Sequence, residues 1–243
     1  MLTTILTNIG LVLGLVIGVP FLFILLLSLI NRNTKQHIAT RFGINGQLYF
    51  GFLGIMIHEA SHLITALLFG HKINQFRLIK FPSSENPTLG YVHHTWHQRN
   101  IYQNMGNLFI GIAPIFGCCG AILLACRWLL PNGYELVVTL ADQTTSAPIT
   151  IPDFNWPGLL IFIVIAANIC IGGFDLSTAD FQNAKQGLWQ AVVLLIIVAL
   201  ISSFLPIRTS LFGWLIQLTI ILSVISGFNL VISLLFNGFF RLI

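Results

Sequence analysis

An apolar stretch near the start of the chain contains the pattern His58-Glu59-Ala60-Ser61-His62, which is HExxH. On a helix, residues i and i+4 lie on the same face, about 6 Å apart along the axis. Two imidazoles at this spacing can hold one zinc ion, with Glu59 beside it as general base for a bound water. The alternative is that the three groups only hydrogen-bond within a helix bundle. That alternative must supply buried partners for all three polar groups, so the pattern favours a metal site.

A zinc ion that keeps one position for water needs a third protein ligand. Asp175 and Asp180 follow the fourth apolar stretch, and counting the crossings puts them at the same membrane face as the HExxH pattern. We expect one of them to be the ligand, and capping of the next helix is their alternative role. Histidine is the competing ligand type. The candidates in the polar segment on the same side are His71, His93, His94 and His97.

The composition shows where such a site must lie. Of 243 residues, 56% are hydrophobic and only 7% are charged, with a mean hydropathy of +0.90. Soluble domains carry about 25% charged residues, so a soluble enzyme, a disordered chain and a nucleic-acid-binding protein are excluded. The net charge of +4 is scattered and is typical of the loops of a membrane protein. The four cysteines lie in apolar runs without a C-x-x-C pair, which predicts buried packing.

The sequence predicts an all-α polytopic membrane protein, because a membrane-spanning helix needs about 20 apolar residues. The first apolar stretch lacks a basic start and a cleavage site, so it is expected to be a retained helix. Pro20 and Pro114 fall within spans and are expected to kink them. The six predicted spans are 5–30, 47–70, 107–130, 156–174, 188–205 and 211–236.

Polar segments separate these spans at 31–46, 71–106, 131–155 and 175–187. Segments 31–46 and 71–106 flank one predicted span and are therefore expected on opposite sides of the membrane. The side with segments 71–106 and 175–187 carries six basic residues and the other side carries five. We expect a multi-pass protein in a bacterial inner membrane or its equivalent, and the positive-inside rule then predicts that the site lies nearer the cytoplasmic face.

The HExxH stretch, followed by Phe69-Gly70-His71-Lys72-Ile73, resembles the intramembrane zinc metalloproteases of the site-2 protease type, the M50 group and its divergent relatives. In that family a HExxH helix, an intervening helix and an acid-bearing helix form the catalytic core. The length predicts a single membrane domain, 1–243, and the resemblance covers its protease-like core, 45–190. Residues 1–44 then form an N-terminal helix and loop, and 191–243 form C-terminal helices.

The resemblance also bears on the remaining site residues. The family's acid lies in an Asn-x-x-Pro-x-Pro-x-Leu-Asp-Gly stretch, and the segment 168–175 lacks both prolines. The chain then reads Leu176-Ser177-Thr178-Ala179-Asp180, similar to the Leu-Ser-x-x-Asp of divergent members, so Asp180 is preferred over Asp175. By the same resemblance Asn168 contacts a substrate carbonyl or steadies the site, with an interhelical hydrogen bond as the alternative. Ser61 replaces the family's usual glycine before the second histidine.

Segments 73–79 and 89–93 resemble the family's small β-hairpin, which offers an edge to an extended substrate. The resemblance implies one zinc ion per chain and a transmembrane or membrane-associated protein substrate. The expected activity is hydrolysis of peptide bonds by a zinc-activated water, with Glu59 as general base. The alternatives are a zinc-binding receptor or scaffold without proteolytic activity, and a transporter, although the chain lacks the internal repeat typical of transporters.

Overall fold

The computed structural model describes residues 2–43, 45–83, 86–142, 155–205 and 208–242. Six of its helical segments are long and apolar enough to cross a membrane, which confirms the predicted multi-pass helical architecture. The elements in chain order are α1 (Leu2–Leu13), a π-helical turn (Gly14–Gly18), α2 (Val19–Phe42), α3 (Gly46–Leu68), β1 (Lys72–Arg77), β2 (Tyr91–Thr95), α4 (Ile101–Leu129), α5 (Pro131–Ala141), α6 (Trp156–Gly173), α7 (Thr178–Phe204) and α8 (Arg208–Leu242).

The first span is longer than predicted. Helix α1, the π-helical turn and α2 form one helical segment of 41 residues, and it continues to Phe42 instead of ending at Ile30. The polar residues beyond Ile30 stay helical because one face of them packs against α8. Asn31 and Thr34 are buried there, and Asn237 of α8 donates a hydrogen bond to Thr34 Oγ1 at 3.0 Å. The π-helical turn lies just before Pro20, which has no amide hydrogen for a regular helix.

An ion pair corrects the predicted arrangement of the polar segments. Lys35 Nζ lies 3.2 Å from Asp175 Oδ2, so segments 31–46 and 175–187 meet and do not lie on opposite sides of the membrane. The error arose because 31–42 was treated as a loop, whereas α2 carries it along the bundle to the start of α7. The count of six basic residues against five therefore gives no orientation.

Helix α4 lies at the centre of the bundle. Its inward residues, among them Ile112 and Ile115, form the main hydrophobic core together with residues from α2, α6, α7 and α8. Cys118, Cys119 and Cys170 are buried in this core, and Cys126 is half-buried, which agrees with the predicted packing role. Because α4 is buried along much of its length, the other spans pack around it.

Glycines bring the helices around α4 close to one another. The backbone of α3 leaves helical geometry at Gly51 (φ −133°, ψ 17°). A Cβ at Gly54 would lie 2.6 Å from the backbone nitrogen of Gly173, so α3 and α6 are in backbone contact. On α4, a Cβ at Gly111 would lie 2.5 Å from the carbonyl oxygen of Asp180 at the start of α7. Small residues commonly permit such approaches in membrane helices.

The predicted hairpin is present between α3 and α4. Strands β1 and β2 pair antiparallel, with Lys72 opposite Thr95 and Arg77 opposite Tyr91, and a register irregularity lies between Ile73 and Gln75. Its connection contains Pro82 and Pro87, as the sequence suggested.

Other helices also differ from prediction, among them α4, which begins at Ile101 and not near Asn107. The segment after α4 was expected to be a loop, but Pro131–Ala141 forms the short helix α5, which begins with the proline that suits a first helical turn. Helix α7 begins at Thr178 and not near Leu188, because Ser177 caps it. Of the acids in the predicted 131–155 loop, Glu135 lies in α5, and Asp153 lies outside the described residues.

Candidate metal centre

The two histidines of the HExxH pattern lie one turn apart on α3 and face the same way. Their ring centroids are 4.8 Å apart, and His58 Nε2 lies 3.1 Å from His62 Nε2. Both residues are buried, with 8% and 6% of their surfaces exposed. The i, i+4 spacing therefore produces the convergent pair of imidazoles that the sequence predicted.

Backbone carbonyl groups orient both rings. His58 Nδ1 lies 2.8 Å from the carbonyl oxygen of Gly173, and His62 Nδ1 lies 2.7 Å from that of Ile110. Because a carbonyl oxygen can only accept, each Nδ1 carries the hydrogen and donates it. A neutral ring with its proton on Nδ1 has a free lone pair on Nε2. The two Nε2 lone pairs therefore point into the same small space.

Asp180 completes the cluster from another helix. Its Oδ1 lies 3.0 Å from His62 Nε2, and its Oδ2 lies 3.7 Å from His58 Nε2. The side chain is buried, with 7% of the residue exposed. Within the described residues, His58, His62 and Asp180 are the group whose ligand atoms all lie within 4.8 Å of one another.

A capping box holds Asp180 in place at the start of α7. The backbone N–H of Asp180 donates to Ser177 Oγ at 3.2 Å, and the backbone N–H of Ser177 donates to Asp180 Oδ2 at 2.7 Å. The pattern S-x-x-D is a recognised N-terminal signature of helices, with Asp in the place of the usual Glu. Capping and ligation were alternatives in the sequence, and the structure shows the cap formed by the same carboxylate that faces the histidines.

The donor set fits a zinc ion. Two imidazole nitrogens and one carboxylate oxygen are the ligand types that zinc takes in catalytic sites with three protein ligands. Lone pairs and a carboxylate converging in a buried space repel one another, and a cation relieves that repulsion. Zinc-bound histidines also donate their second N–H to a carbonyl or carboxylate, which both rings already do.

Glu59 lies beside the cluster on the next position of α3. It is close enough to interact electrostatically with His58, His62 and Asp180. Gly90, the residue just before β2, covers it, because a Cβ at Gly90 would lie 2.6 Å from Glu59 Cγ. Only glycine therefore fits at position 90 without displacing the carboxylate of Glu59.

Asp175, the other candidate ligand, lies outside the cluster. Its carboxylate pairs with Lys35, and both side chains are partly exposed. Its position two residues before Ser177 places it at the joint between α6 and α7, and the ion pair connects that joint to α2.

Asn168, the candidate substrate-binding residue, makes an interhelical hydrogen bond. Its Oδ1 accepts from the backbone N–H of Leu53 at 2.8 Å. This N–H follows the break at Gly51, where the helical hydrogen-bonding pattern of α3 is interrupted. The contact is the alternative role considered for Asn168, and it fixes α3 to α6 near the cluster.

Ser61 lies where the resemblance to site-2 proteases predicts glycine. Its Oγ donates to the carbonyl oxygen of Ile57 at 2.6 Å, and its side chain faces Gly117 of α4. A Cβ at Gly117 would lie 3.0 Å from Ser61 Cβ and would collide with its hydroxyl. The small residue at this contact is therefore supplied by α4 instead of α3.

The histidines of the polar segment form a separate group at the hairpin. His71 Nδ1 lies 2.9 Å from His94 Nδ1, and His71 Nε2 lies 2.8 Å from the carbonyl oxygen of Gln103. The indole of Trp96 stacks on His71 with ring centroids 5.6 Å apart. Burial lowers the pKa of His71, and burial together with neighbouring histidines lowers the pKa of His94 to about 4. His93 stacks on Tyr91 and, like His97, is exposed.

Several residues of the site were not predicted. The carbonyl groups of Ile110 and Gly173 carry no side-chain signature, although Pro114 follows Ile110 by four residues. The capping function of Ser177 was readable from S-x-x-D, and the contact of Gly90 with Glu59 was not.

No protein-family model, no curated protein and no solved structure matches this chain. A functional assignment must therefore come from the residues and their geometry.

Proposed function

We propose that this protein is an intramembrane zinc metallopeptidase, a divergent relative of the site-2 protease type. The observation that carries the proposal is the convergence of His58, His62 and Asp180, from two helices, beside Glu59. Their spacing in the sequence and their buried, carbonyl-oriented geometry support a catalytic metal site more than a packing element.

His58, His62 and Asp180 would hold the zinc ion. When bound, zinc supplies a water of lowered pKa and polarises the carbonyl of a peptide bond. Glu59 accepts the proton of the attacking water and returns it to the leaving amine. The capping box and the two backbone carbonyls keep the ligands fixed, so little reorganisation is needed during the reaction.

The hairpin supports a peptide as the substrate. Strands β1 and β2 pair only with each other within the described part of the chain, so each has an edge open to another strand. Gly90, just before β2, lies over Glu59, so we propose that a segment added to this sheet passes close to the general base. A helical membrane substrate must unwind to bind in this way. We therefore propose a membrane-associated protein segment, bound in extended form, as the substrate class.

Comparison of the wild-type protein with Glu59→Gln tests this proposal. In detergent or nanodiscs, the wild-type protein should bind one zinc ion and cleave a panel of unstructured membrane-segment peptides. Glu59→Gln should retain the zinc and lose cleavage, because it keeps the side-chain volume but cannot take a proton. Normal cleavage by Glu59→Gln would overturn the assigned role. Zinc binding with no cleavage by the wild-type protein would favour the receptor or scaffold, and failure to bind zinc would reject the metal site itself.

A further inference from the structure

The carbonyl group of Ile110, which orients His62, has no hydrogen-bond donor within its own helix, α4. In an α-helix the carbonyl oxygen of residue i accepts the N–H of residue i+4. For Ile110 of α4 that residue is Pro114, which has no N–H to donate. Ile110 is buried, with 1% of its surface exposed, so water does not replace the missing donor. The hydrogen comes from His62 Nδ1 at 2.7 Å.

This bond decides which nitrogen of His62 is available for a metal. With the hydrogen held on Nδ1 by the carbonyl, Nε2 keeps its lone pair and faces Asp180 Oδ1 at 3.0 Å. Such outer hydrogen bonds fix the tautomer and the ring orientation of a ligand and raise its basicity. A residue at position 114 with an N–H would compete with His62 for the same carbonyl oxygen.

The same turn of α4 also positions the third ligand. Gly111 allows α7 to approach so closely that a Cβ there would lie 2.5 Å from the carbonyl oxygen of Asp180 and 2.8 Å from Ala184 Cβ. The turn from Ile110 to Pro114 therefore contacts both His62 and the helix that presents Asp180, although it contributes no ligand itself.

We propose that Pro114 is a positioning residue for the metal centre. By lacking an N–H, it reserves the Ile110 carbonyl for His62 and so keeps Nε2 of His62 free to bind the ion. This inference rests on the proposed zinc site but makes a separate prediction about the histidine itself.

The substitution Pro114→Ala tests the proposal, and Pro20→Ala is the matched control. Alanine restores the N–H and is a better helix former, so α4 should remain intact. Pro20 lies in another span, α2, is also buried, and is not one of the residues that contact His58 or His62. We expect Pro114→Ala to weaken zinc binding about 10- to 100-fold, the range found when outer-shell partners of metal ligands are removed. Pro20→Ala should bind zinc as the wild type does. Equal zinc affinity in all three proteins would overturn the proposal.

A second measurement applies to the metal-free wild-type protein and does not depend on zinc. Nitrogen NMR of ¹⁵N-labelled histidine distinguishes a ring protonated on Nδ1 from one protonated on Nε2. The expected result is His62 protonated on Nδ1, changing towards a mixture of tautomers in Pro114→Ala, with His58 unchanged as an internal reference. His62 protonated on Nε2 in the wild type would overturn the proposal. If the wild type binds no zinc but shows the expected tautomers, the proposed function fails while the positioning effect stands.

Discussion

Asp180 Oδ1 lies 3.0 Å from His62 Nε2, although His62 lies within α3 and Asp180 lies in the first turn of α7. One turn of α4 contacts both residues, through the carbonyl oxygen of Ile110 and through Gly111. Asp175, five residues earlier, pairs with Lys35 instead. The two aspartates that the sequence could not separate by position alone thus have different partners.

Substituting each aspartate by asparagine should separate their roles. Asp180→Asn can still accept the hydrogen bond from Ser177 but loses the charge, so zinc content measured by mass spectrometry should fall well below one per chain. Asp175→Asn should keep its zinc and lose at most about 1 kcal/mol of stability, because a partly exposed ion pair contributes little. Loss of zinc from Asp175→Asn, with retention in Asp180→Asn, would contradict the assignment.

Gly90→Ala should impair catalysis without impairing metal binding. The added Cβ would lie 2.6 Å from Glu59 Cγ and must displace either the carboxylate or the hairpin. A displacement of about 1 Å can reduce turnover about 100-fold, so we expect a loss of at least about tenfold in peptide cleavage. Gly120→Ala is the control, since a Cβ there meets nothing within 4 Å. Unchanged cleavage by Gly90→Ala would show that the contact at position 90 does not fix the side chain of Glu59.

Asn168→Ala should destabilise the bundle. It leaves the half-buried N–H of Leu53 without its acceptor at 2.8 Å, which should cost about 1 kcal/mol, the lower end of the range for an unsatisfied donor. Thermal unfolding in detergent measures the effect, with Asn33→Ala as the control, since it removes only a longer, exposed hydrogen bond of 3.4 Å to Asn237. An increase in KM at unchanged thermal stability would instead identify Asn168 as a substrate-binding residue.

Acidification should loosen the hairpin. The pKa of His94 is lowered to about 4 by burial and by the neighbouring His71, His62 and His93, whereas an unfolded histidine titrates near 6.5. The unfolded state therefore binds more protons between these values, and the stabilisation from neutral His94 is complete above about pH 6.5 and is lost as the pH falls towards 4. The protection factors for hydrogen exchange of β1 and β2, which remove the intrinsic pH dependence of exchange, should fall between pH 7 and pH 5. The fall should be smaller in His94→Phe, and protection factors that do not change with pH in the wild type would refute the prediction.

The elements that depend on local hydropathy could be predicted from the sequence, and those that depend on tertiary contacts could not. The six spans and the position of the hairpin follow from apolar length and strand pattern. Residues 31–42 look like a loop because their polar side chains, such as Thr34, are satisfied by α8, which the local sequence does not show. The i, i+4 spacing of His58 and His62 predicted their convergence, since it depends on helix geometry alone.

The supporting contacts of the site were harder to predict. Ile110 and Gly173 act through backbone oxygens, so their residue types carry no signal. Ser177 and Asp180 form a pattern that is visible in the sequence, but whether the carboxylate caps a helix or faces the histidines depends on how α7 packs. The structure shows that a single carboxylate does both.

The contact between Ser61 and Gly117 also constrains how this chain can diverge. With a hydroxymethyl group on α3, the facing position on α4 admits no side chain. Related sequences with glycine at position 61 are free to carry alanine at 117, whereas those with serine at 61 should retain glycine there. The two positions are therefore expected to covary, because each limits the size of the side chain that the other helix can carry at this interface.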